Sequence, residues 1–418
     1  MKAILFILLL TGIVGIARGE ETYKDSLRQM LDTHRRIVAS KSDLESSEAN
    51  LKNAEGGWYP TVKATLNYGY EDRAGVKFKP NSNDISVEQL VWDFGATNAA
   101  IKKADLTVQS SHVSLDIAQQ DLLLEGLSAY INLFRAKRAL EYAKQSMDNI
   151  RKQTGMEESR VELGGGLPAD VLQAKSQLAG TQARLVRARG ALIAAENRYR
   201  NVFLQDPPLQ IEKIPVPLEK LPLDLEVALQ LARERHYDLR NAQLKAQIAH
   251  TEVDRTRSAQ LFPSIKVVGQ ENYRTDANGI KGEWDDKLVK LETNYSFNLG
   301  LANIHAVDAA QSAALASEYR LKDTLLLVEE QVRNALQALE TARDNAGHLQ
   351  NQAHIVAEFL RLAREERLLG SRSLIDVLTG ETNLINAQSD AVSAEADVAI
   401  AAFTLLKTVG GLEFDVLP

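Results

Sequence analysis

Two aspartates lie in closely similar surroundings, 206 residues apart. Asp170 belongs to the stretch GGGLPADVL (residues 164–172) and Asp376 to GSRSLIDVL (residues 370–378). In both, glycine and a short turn precede Asp-Val-Leu, and Ser373 stands three residues before Asp376, as in a capping box. A carboxylate in the first turn of a helix is stabilised by free amides and the helix dipole, by about 0.3–1 kcal/mol. Helix capping alone can explain both aspartates, so any further role depends on where the two helix starts lie.

Sequence patterns that indicate enzymatic or metal chemistry are absent. There is no Walker loop, dinucleotide glycine fingerprint, HExxH or GxSxG. The chain has no cysteine, which excludes thiolate zinc sites, disulfides and a lipidated N-terminal cysteine. His348 and His354 are six residues apart and do not share a helix face, and DANGIKGEWDD (276–286) lacks the ligand spacing of a calcium loop. We expect no enzymatic activity, no cofactor and no metal site.

Charge and the N-terminal sequence indicate the class of protein. With 49 basic and 56 acidic residues the net charge is −7, which does not favour nucleic-acid binding. Lys2, an apolar run over 3–16 and the small residues around Arg18 predict a signal peptide over residues 1–19. That run is shorter than the roughly 20 residues that a membrane-spanning helix needs. Because no later stretch is long and apolar enough, a membrane role would require strands or a surface contact.

The chain repeats itself with an offset of 206 residues. Every seventh residue from Ile101 to Ile150 is apolar, and so is every seventh residue from Val307 to Val356. A strict seven-residue repeat produces left-handed coiled-coil packing. It predicts long helices over about 96–161 and 301–367, each roughly 100 Å in length. Each ends at a glycine turn, the tip turns at 164–168 and 370–373.

This repeat divides the chain into two structural units. The first is expected to occupy residues 20–204 and the second residues 224–412, with a tail over 413–418. Residues 205–223 hold five of the ten prolines, which block a continuing helix and indicate a linker. The shorter helices of each unit could stack end to end beside the long one. They are expected at about 23–56, 168–203, 224–259 and 373–409.

Four segments alternate between apolar and polar residues and predict β-strands. They lie at about 60–71, 85–94, 263–274 and 288–299, and a change of face near Gln89 indicates a bulge. Their length suits tilted transmembrane strands. Since the smallest membrane barrels have about eight strands and open edges are not tolerated in lipid, the strands would have to be pooled between copies. A dimer would supply eight strands and a trimer twelve.

Aromatic residues cluster at the ends of these strands, as in the girdles of outer-membrane barrels. The alternative is a pair of amphipathic hairpins packed on a soluble core. The candidate girdle consists of Trp58, Tyr59, Tyr68, Tyr70, Trp92, Phe94, Phe262, Tyr273, Tyr295 and Phe297.

The order and spacing of these motifs resemble the TolC-type outer-membrane factor family across the whole mature chain. The resemblance is carried by GSRSLIDVL, GLPADVL, YPTVKATLNYGYED, FPSIKVV and QLVWDFGATNAAIKKA. It implies an α+β membrane protein, a homotrimer with a twelve-stranded outer-membrane β-barrel in lipid and a long periplasmic α-helical coiled-coil barrel. It also implies a passive exit duct, joined by a periplasmic adaptor (membrane fusion protein) to an inner-membrane pump.

Members of this family divide between type I protein secretion and multidrug efflux. Many efflux members carry a lipidated N-terminal cysteine, which this chain lacks. The stretch HRRIVASKSDLESSEANLKNAEGGWYPTVKATLNYGYED (34–72) resembles the secretion branch, including members that export large adhesins. Secretion through an ABC transporter is therefore expected. The alternatives are an efflux channel served by a proton-driven pump and, more distantly, a soluble periplasmic coiled-coil scaffold.

The resemblance also implies roles for residues at the tips. Asp376 would belong to a carboxylate ring at the periplasmic aperture, and Arg372 would link to Asp170 of the other hairpin or of a neighbouring protomer. Two positions depart from the family pattern: a second aspartate is replaced by Thr379 and a tyrosine by Arg367. The tip turns would contact the adaptor through Gly164, Gly165, Gly166, Leu167, Gly370, Ser371 and Ser373.

Overall fold

A computed structural model of the protein describes residues 23–222, 224–276 and 280–417. Two long helical hairpins lie side by side, and a small antiparallel sheet joins them at the end opposite their turns. The signal peptide predicted over residues 1–19 lies outside the described residues. The helices are α1 (Tyr23–Thr33), α2 (Arg35–Glu55), α3 (Ala96–Glu162), α4 (Pro168–Phe203), α5 (Leu225–Arg235), α6 (Tyr237–Leu261), α7 (Ala302–Leu368) and α8 (Leu374–Thr408). The strands are β1 (Thr61–Tyr68), β2 (Glu71–Arg73), β3 (Val76–Phe78), β4 (Asn81–Trp92), β5 (Ser264–Thr275) and β6 (Glu283–Asn294).

The two long helices, α3 and α7, have 67 residues each and are therefore about 100 Å long. All sixteen positions of the seven-residue apolar register are buried or half-buried, and Leu122, Ile150 and Val328 are at most 2% exposed. The register thus marks the faces along which α3 packs on α4 and α7 on α8. No helix in the described part of the chain is long and apolar enough to cross a bilayer.

The helices form one layer, and its two edges are formed by different helices. Near the hairpin tips the order is α4, α3, α8, α7, and near the sheet it is α2, α3, α6, α7. One edge is therefore formed by α2 and α4 and the other by α7 along its whole length. At mid-height α1, α5, the linker and the C-terminal tail cover this layer and enclose the largest apolar core, which includes Leu27, Leu127, Ile214, Phe403 and Leu417.

Two predicted helices are interrupted, so the expectation of continuous helices over 23–56 and 224–259 was wrong. The backbone becomes extended at His34 (ψ 133°) and at His236 (ψ 121°), which ends α1 and α5 and begins α2 and α6. In each case the imidazole Nδ1 accepts a hydrogen bond of 3.2 Å from the backbone amide two residues later. Each histidine thus caps the following helix, and the break lets the short helix turn onto the mid-height core.

The four-stranded sheet is antiparallel, in the order β1-β4-β5-β6. Its register shifts between Leu90 and Trp92, one residue beyond the face change at Gln89. The strand expected over 288–299 runs instead over Glu283–Asn294, so Tyr295 and Phe297 lie beyond its end. The ladder stops at Ser264, because the preceding Pro263 has no amide hydrogen and the chain there enters from α6.

The two faces of the sheet differ sharply. One is apolar and exposed, with Val62 67%, Leu66 65% and Leu291 68% exposed. The other carries cross-strand ion pairs, such as Lys266 with Glu88 at 3.4 Å, and one further pair, Lys287 with Glu271 at 2.9 Å, lies on the apolar face. In the described chain, β1 and β6 each have one neighbour in this sheet, so both outer edges are left unpaired.

Replacing the two capping histidines should flatten the pH dependence of stability. Burial is the main cause that lowers the pKa of His34 and His236 in the folded chain. The unfolded chain, with a histidine pKa of about 6.5, therefore binds more protons at mildly acidic pH. The free energy of unfolding accordingly falls as pH drops below about 6.5. Asparagine also caps helices and does not titrate.

We expect the unfolding temperature to fall less between pH 7.5 and 5.5 in the His34→Asn, His236→Asn double variant than in the unaltered chain. The control is His250→Asn, which alters an exposed histidine that pairs with Glu318 at 2.7 Å. A double variant with the full pH dependence of the unaltered chain would contradict the assignment.

Candidate functional site

Both hairpins turn through the same backbone motif at the tip. Gly164 and Gly370 have φ of 80° and 81°, a left-handed conformation that glycine adopts without a steric penalty. Their amides donate to carbonyls three residues back, both at 3.0 Å, and the next amides reach carbonyls five residues back, at 2.9 and 3.0 Å. This pattern is the Schellman motif, which satisfies the last carbonyls of α3 and α7. The repeated glycine in the sequence therefore reports a repeated turn.

The two aspartates occupy equivalent positions in the helices that follow. α4 begins at Pro168 and α8 at Leu374, so Asp170 and Asp376 are both the third residue of their helix. The Ser373 hydroxyl accepts a hydrogen bond of 3.3 Å from the Asp376 amide. The Asp376 side chain is exposed, and that of Asp170 is half-buried. Both carboxylates are thus placed to stabilise a helix start at the very end of the molecule.

An ion pair between Arg367 and Glu157 joins the two hairpins. Arg367, near the end of α7, places Nη2 3.0 Å from Oε2 of Glu157 on α3. Its other terminal nitrogen donates to the Arg372 carbonyl at 3.3 Å. The Glu157 side chain is only 6% exposed, so the charge lies largely out of water. Removing one partner of such a pair leaves an uncompensated buried charge, which lowers the free energy of unfolding by about 3–5 kcal/mol.

A second buried carboxylate, Glu381 on α8, lies one helical turn further from the tip. Arg364 donates to its Oε1, with Nε at 3.1 Å, and Asn149 of α3 donates to its Oε2 at 3.3 Å. Glu381 is 2% exposed. Since Arg364 and Arg367 are three residues apart, they project from one side of α7. These two arginines and the two glutamates, Glu157 and Glu381, form what we call the arginine clamp.

Apolar packing supports the clamp. Ile150 and Ala174 of the first hairpin enclose Leu374 and Leu378 of the second, and all four are at most 4% exposed. At Gly380, α8 approaches α7 so closely that an added Cβ would lie 3.0 Å from a Leu360 methyl group. The tips of the two hairpins are therefore one packed unit within the protomer.

Arg372 forms contacts within its own hairpin. Its Nε lies 2.6 Å from Oε2 of Glu366, and its guanidinium carbon lies 5.3 Å from the centre of the Phe359 ring. Among the described residues of one protomer, no ion pair joins Arg372 to Asp170. A link between these residues across protomers stays a prediction. Thr379 is exposed on α8, three residues beyond Asp376.

The tip turns themselves are accessible. Leu167 is 65% exposed, an unusual position for a leucine. Gly166 is half-buried, and a Cβ there would lie 2.7 Å from a Val161 methyl group. The remaining tip-turn residues are exposed: Gly164, Gly165, Gly370, Ser371 and Ser373.

Three members of the clamp were not anticipated from the sequence, although the apolar register contains a signal for two of them. Glu157 follows Ile150 by seven residues, so it occupies the next position of the buried register. Glu381 lies between Leu378 and Ile385 on the buried face of α8. A carboxylate at a position reserved for apolar residues indicates a buried partner. Arg364 carries no such signal, because its neighbours on α7 are also charged.

At the opposite end, aromatic rings gather where the strands meet the helices. Phe94 stacks on Phe262 with ring centres 4.9 Å apart and meets Trp92 edge-on at 6.1 Å. Trp58 donates to the Asn98 side chain at 3.1 Å. Rings of this kind, half exposed with some polar contacts, suit a membrane–water interface. The other candidate aromatics are exposed: Tyr59, Tyr68, Tyr70, Tyr273, Tyr295 and Phe297.

Known proteins are similar to this chain along most or all of its length. BepC of Brucella suis, an outer membrane efflux protein, is 23% identical over 97% of this chain and 89% of its own length. TolC of Escherichia coli is 23% identical over 99% and 87%. AprF of Pseudomonas aeruginosa, an alkaline protease secretion protein, is 21% identical over 76% and 67%. The resemblance to TolC-type proteins is thus confirmed.

Solved structures share the fold at low sequence identity. The transmembrane channel CusC superposes with a TM-score of 0.81 and 17% identity, covering 94% of this chain and 93% of its own. The CmeC outer membrane channel of Campylobacter jejuni has a TM-score of 0.80 and 14% identity, with 93% and 85% covered.

The family comparison covers both repeats. The profile of the outer membrane efflux protein family matches residues 26–202 and 228–411, one segment in each half, with both tip hairpins included. The chain therefore belongs to the outer membrane efflux protein family and is a channel protein of the outer membrane, not an enzyme.

Proposed function

We propose that this chain is the exit duct of a type I protein secretion system, with an ABC transporter as the inner-membrane pump and a large protein, such as an adhesin, as cargo. Family members form trimeric channels that work with adaptors and inner-membrane pumps. The observation that carries the proposal is a pair of hairpins about 100 Å long, attached to a sheet with one apolar exposed face. Such a chain can reach far into the periplasm from the membrane.

In this proposal three copies pool their sheets. β1 and β6 are antiparallel in the sheet order, so β6 of one copy can pair with β1 of the next. Twelve strands then close without a free edge, which removes unpaired amides and carbonyls from lipid. The apolar face turns to the lipid, and the opposite face, which carries Lys266 and Glu88, lines the lumen.

The choice of secretion over efflux rests on three supports. The stretch over residues 34–72 resembles the secretion branch, the chain has no cysteine for a lipid anchor, and AprF, a relative, is named for protease secretion. Multidrug efflux through a proton-driven pump is the second candidate, since BepC is named as an efflux protein.

Deleting the gene in its own host separates these two functions. We expect the loss of one large protein from the medium or cell surface, with little change in sensitivity to antibiotics and detergents. Restoration by the intact chain is the control. Raised drug sensitivity with an unchanged set of secreted proteins would contradict secretion and favour efflux.

In this proposal the tip supplies the gate. In a three-fold assembly, exposed Asp376 side chains would form a ring of three carboxylates at the aperture, which favours cations. Opening the aperture requires the second hairpin to move away from the first. The Arg367–Glu157 pair opposes this movement, because it joins α7 to α3. In the proposal, the adaptor releases this contact by binding the exposed tip turns.

Replacing Arg367 with glutamine should enlarge the resting pore. The variant leaves Glu157 buried without its cation, so the tip contact between hairpins weakens. We expect single-channel conductance in planar bilayers to rise several-fold. The matched control is Arg361→Gln, since among the described residues exposed Arg361 forms ion pairs just with Glu358 and Glu365 of its own helix. An assembled Arg367→Gln channel that conducts like the control would show that the pair does not hold the gate.

The charges at the aperture can be tested in the same assay. We expect Asp376→Asn to reduce the preference for cations, measured as a smaller reversal potential in a salt gradient.

We also expect the Asp170→Ala, Arg372→Ala double variant to raise conductance if these residues link neighbouring protomers. Unchanged selectivity and conductance in folded variants would leave Asp170 and Asp376 with helix capping only.

A further inference from the structure

Helix α7 carries a row of exposed residues that contains no carboxylate, lysine or arginine. The row follows the alternating spacing of three and four residues that marks one face of a helix, and it is about 27 Å long. The three charged residues of the same span, Glu340, Arg343 and Asp344, lie outside it. We call it the amide row of α7; it consists of Asn334, Ala338, Thr341, Asn345, His348 and Gln352, all of them exposed.

The upper part of the amide row forms one wall of a groove between α7 and α8. Two cavities, of about 580 and 320 Å³, share Ala338, Ala342 and Asp397, so they are parts of one continuous groove. We call it the α7–α8 groove. The one charged group among its described lining residues is Asp397, and Arg135 of α3 pairs with it at 3.3 Å.

This groove lies on the face of the helical layer that the mid-height elements do not cover. On the covered face, a cavity beside the linker is lined by Arg343 and Gly347 of α7 and by Glu395 and Ala399 of α8. Asn345 is two residues from both of those α7 positions, and Asp397 is two residues from both of those α8 positions. Two residues correspond to about 200° around a helix, so the groove and the covered cavity face opposite ways.

In a closed duct the uncovered face must be the inner one. Twelve helices spaced about 10 Å apart make a ring roughly 40 Å across, with less than about 30 Å of clear width inside. The short helices α1 and α5, the linker and the tail of three copies would obstruct that width. These elements therefore lie outside the duct, and the α7–α8 groove faces the lumen.

The chemistry of this wall suits an unfolded polypeptide. An asparagine or glutamine side chain carries both donors and an acceptor, the same kinds of group as a peptide bond. It can therefore bond to the backbone of any sequence. Each such bond replaces one to water and contributes little net stability, so a chain is held weakly and can move on. A wall of one charge sign would instead attract or repel segments according to their charge.

The shape of the groove also favours a polypeptide over a small apolar molecule. From Asn334 to Asn345 it is about 17 Å long, which is the length of about five residues of extended chain. Pockets for drug-sized molecules are lined mainly by apolar and aromatic side chains. Among the described lining residues there is no aromatic ring, and Ile400 is the single large apolar side chain.

We propose that the amide row and the α7–α8 groove bind an extended, unfolded stretch of the exported polypeptide inside the duct. The contact is made through the backbone of the cargo, so it does not depend on the sequence of the cargo. The proposal rests on the secretion duct proposed above and identifies the part of its wall that the cargo touches. In a three-fold assembly the groove occurs three times around the lumen.

Current blockades by a peptide test this contact. The probe is a peptide of about 30 glycine and serine residues, which stays unfolded and uncharged. It is added at the strand end of channels in planar bilayers. We expect Asn334→Ala with Asn345→Ala to shorten the mean blockade several-fold, because two backbone partners are lost. The matched control is Gln350→Ala, which removes an amide of the same helix on the covered face and should leave the blockades unchanged.

An introduced cysteine tests which face lines the lumen, since the chain has no cysteine of its own. We expect Asn345→Cys channels to lose conductance when a charged, water-soluble thiol reagent reacts with them, because the added group narrows the lumen. Gln350→Cys channels should keep their conductance after the same treatment.

The outcomes separate this proposal from the duct itself. Conducting channels that the peptide never blocks, or that it blocks equally in the double variant and the unaltered chain, would overturn the polypeptide contact and leave the duct intact. Loss of conductance on labelling Gln350→Cys but not Asn345→Cys would also overturn it. A chain that forms no conducting channel, with or without these substitutions, would overturn both.

Discussion

An unbroken seven-residue apolar seam holds the two long helices against their neighbours and so determines the shape of the whole chain. Over 67 residues, α3 and α7 keep every register position buried or half-buried, and the return helices and end-to-end partners pack on those positions. The packing is distributed along the helix, so no single globular core is needed to hold an element about 100 Å long. Because the same seam occurs twice, the tips, the turns and the sheet hairpins also occur twice.

This length separates two tasks that have different physical requirements. At one end the sheet exposes apolar side chains and unpaired edges, which are tolerable only in lipid with neighbouring copies. At the other end the chain buries two carboxylates, Glu157 and Glu381, beneath two arginines. Buried ion pairs contribute little net stability relative to apolar packing, but removing one partner of such a pair is strongly destabilising. These contacts fix how the second hairpin lies against the first at the tip.

Much of the fold could be predicted from the sequence, because it is encoded in local periodicity. The period of seven locates α3 and α7, the alternation locates four strands, and Gly164 and Gly370 locate the turns. The errors arose where tertiary contacts decide the outcome. His34 and His236 end helices without proline or glycine, because the short helices must turn onto the core. The end of β6 is set by Pro263, which immediately precedes its partner strand β5, and no local pattern in β6 reveals this.

The candidate site was only partly predictable, for the same reason. Asp170 and Asp376 are recognisable from a repeated motif, whereas the clamp joins residues 210 positions apart, Glu157 and Arg367. The register did mark Glu157 as a buried position occupied by a charge. Which cation meets that charge depends on how the two hairpins lie side by side, and this is a property of packing rather than of spacing.

In the proposed assembly, copies of this chain form a closed tube that projects far from one side of a membrane. Electron microscopy of the full chain in lipid nanodiscs, with particle mass measured on the same sample, can show this tube. We expect three copies per disc and a helical tube extending about 100 Å beyond the bilayer on one side only. Single copies, or helical density lying flat on the disc or within it, would rule out the closed tube.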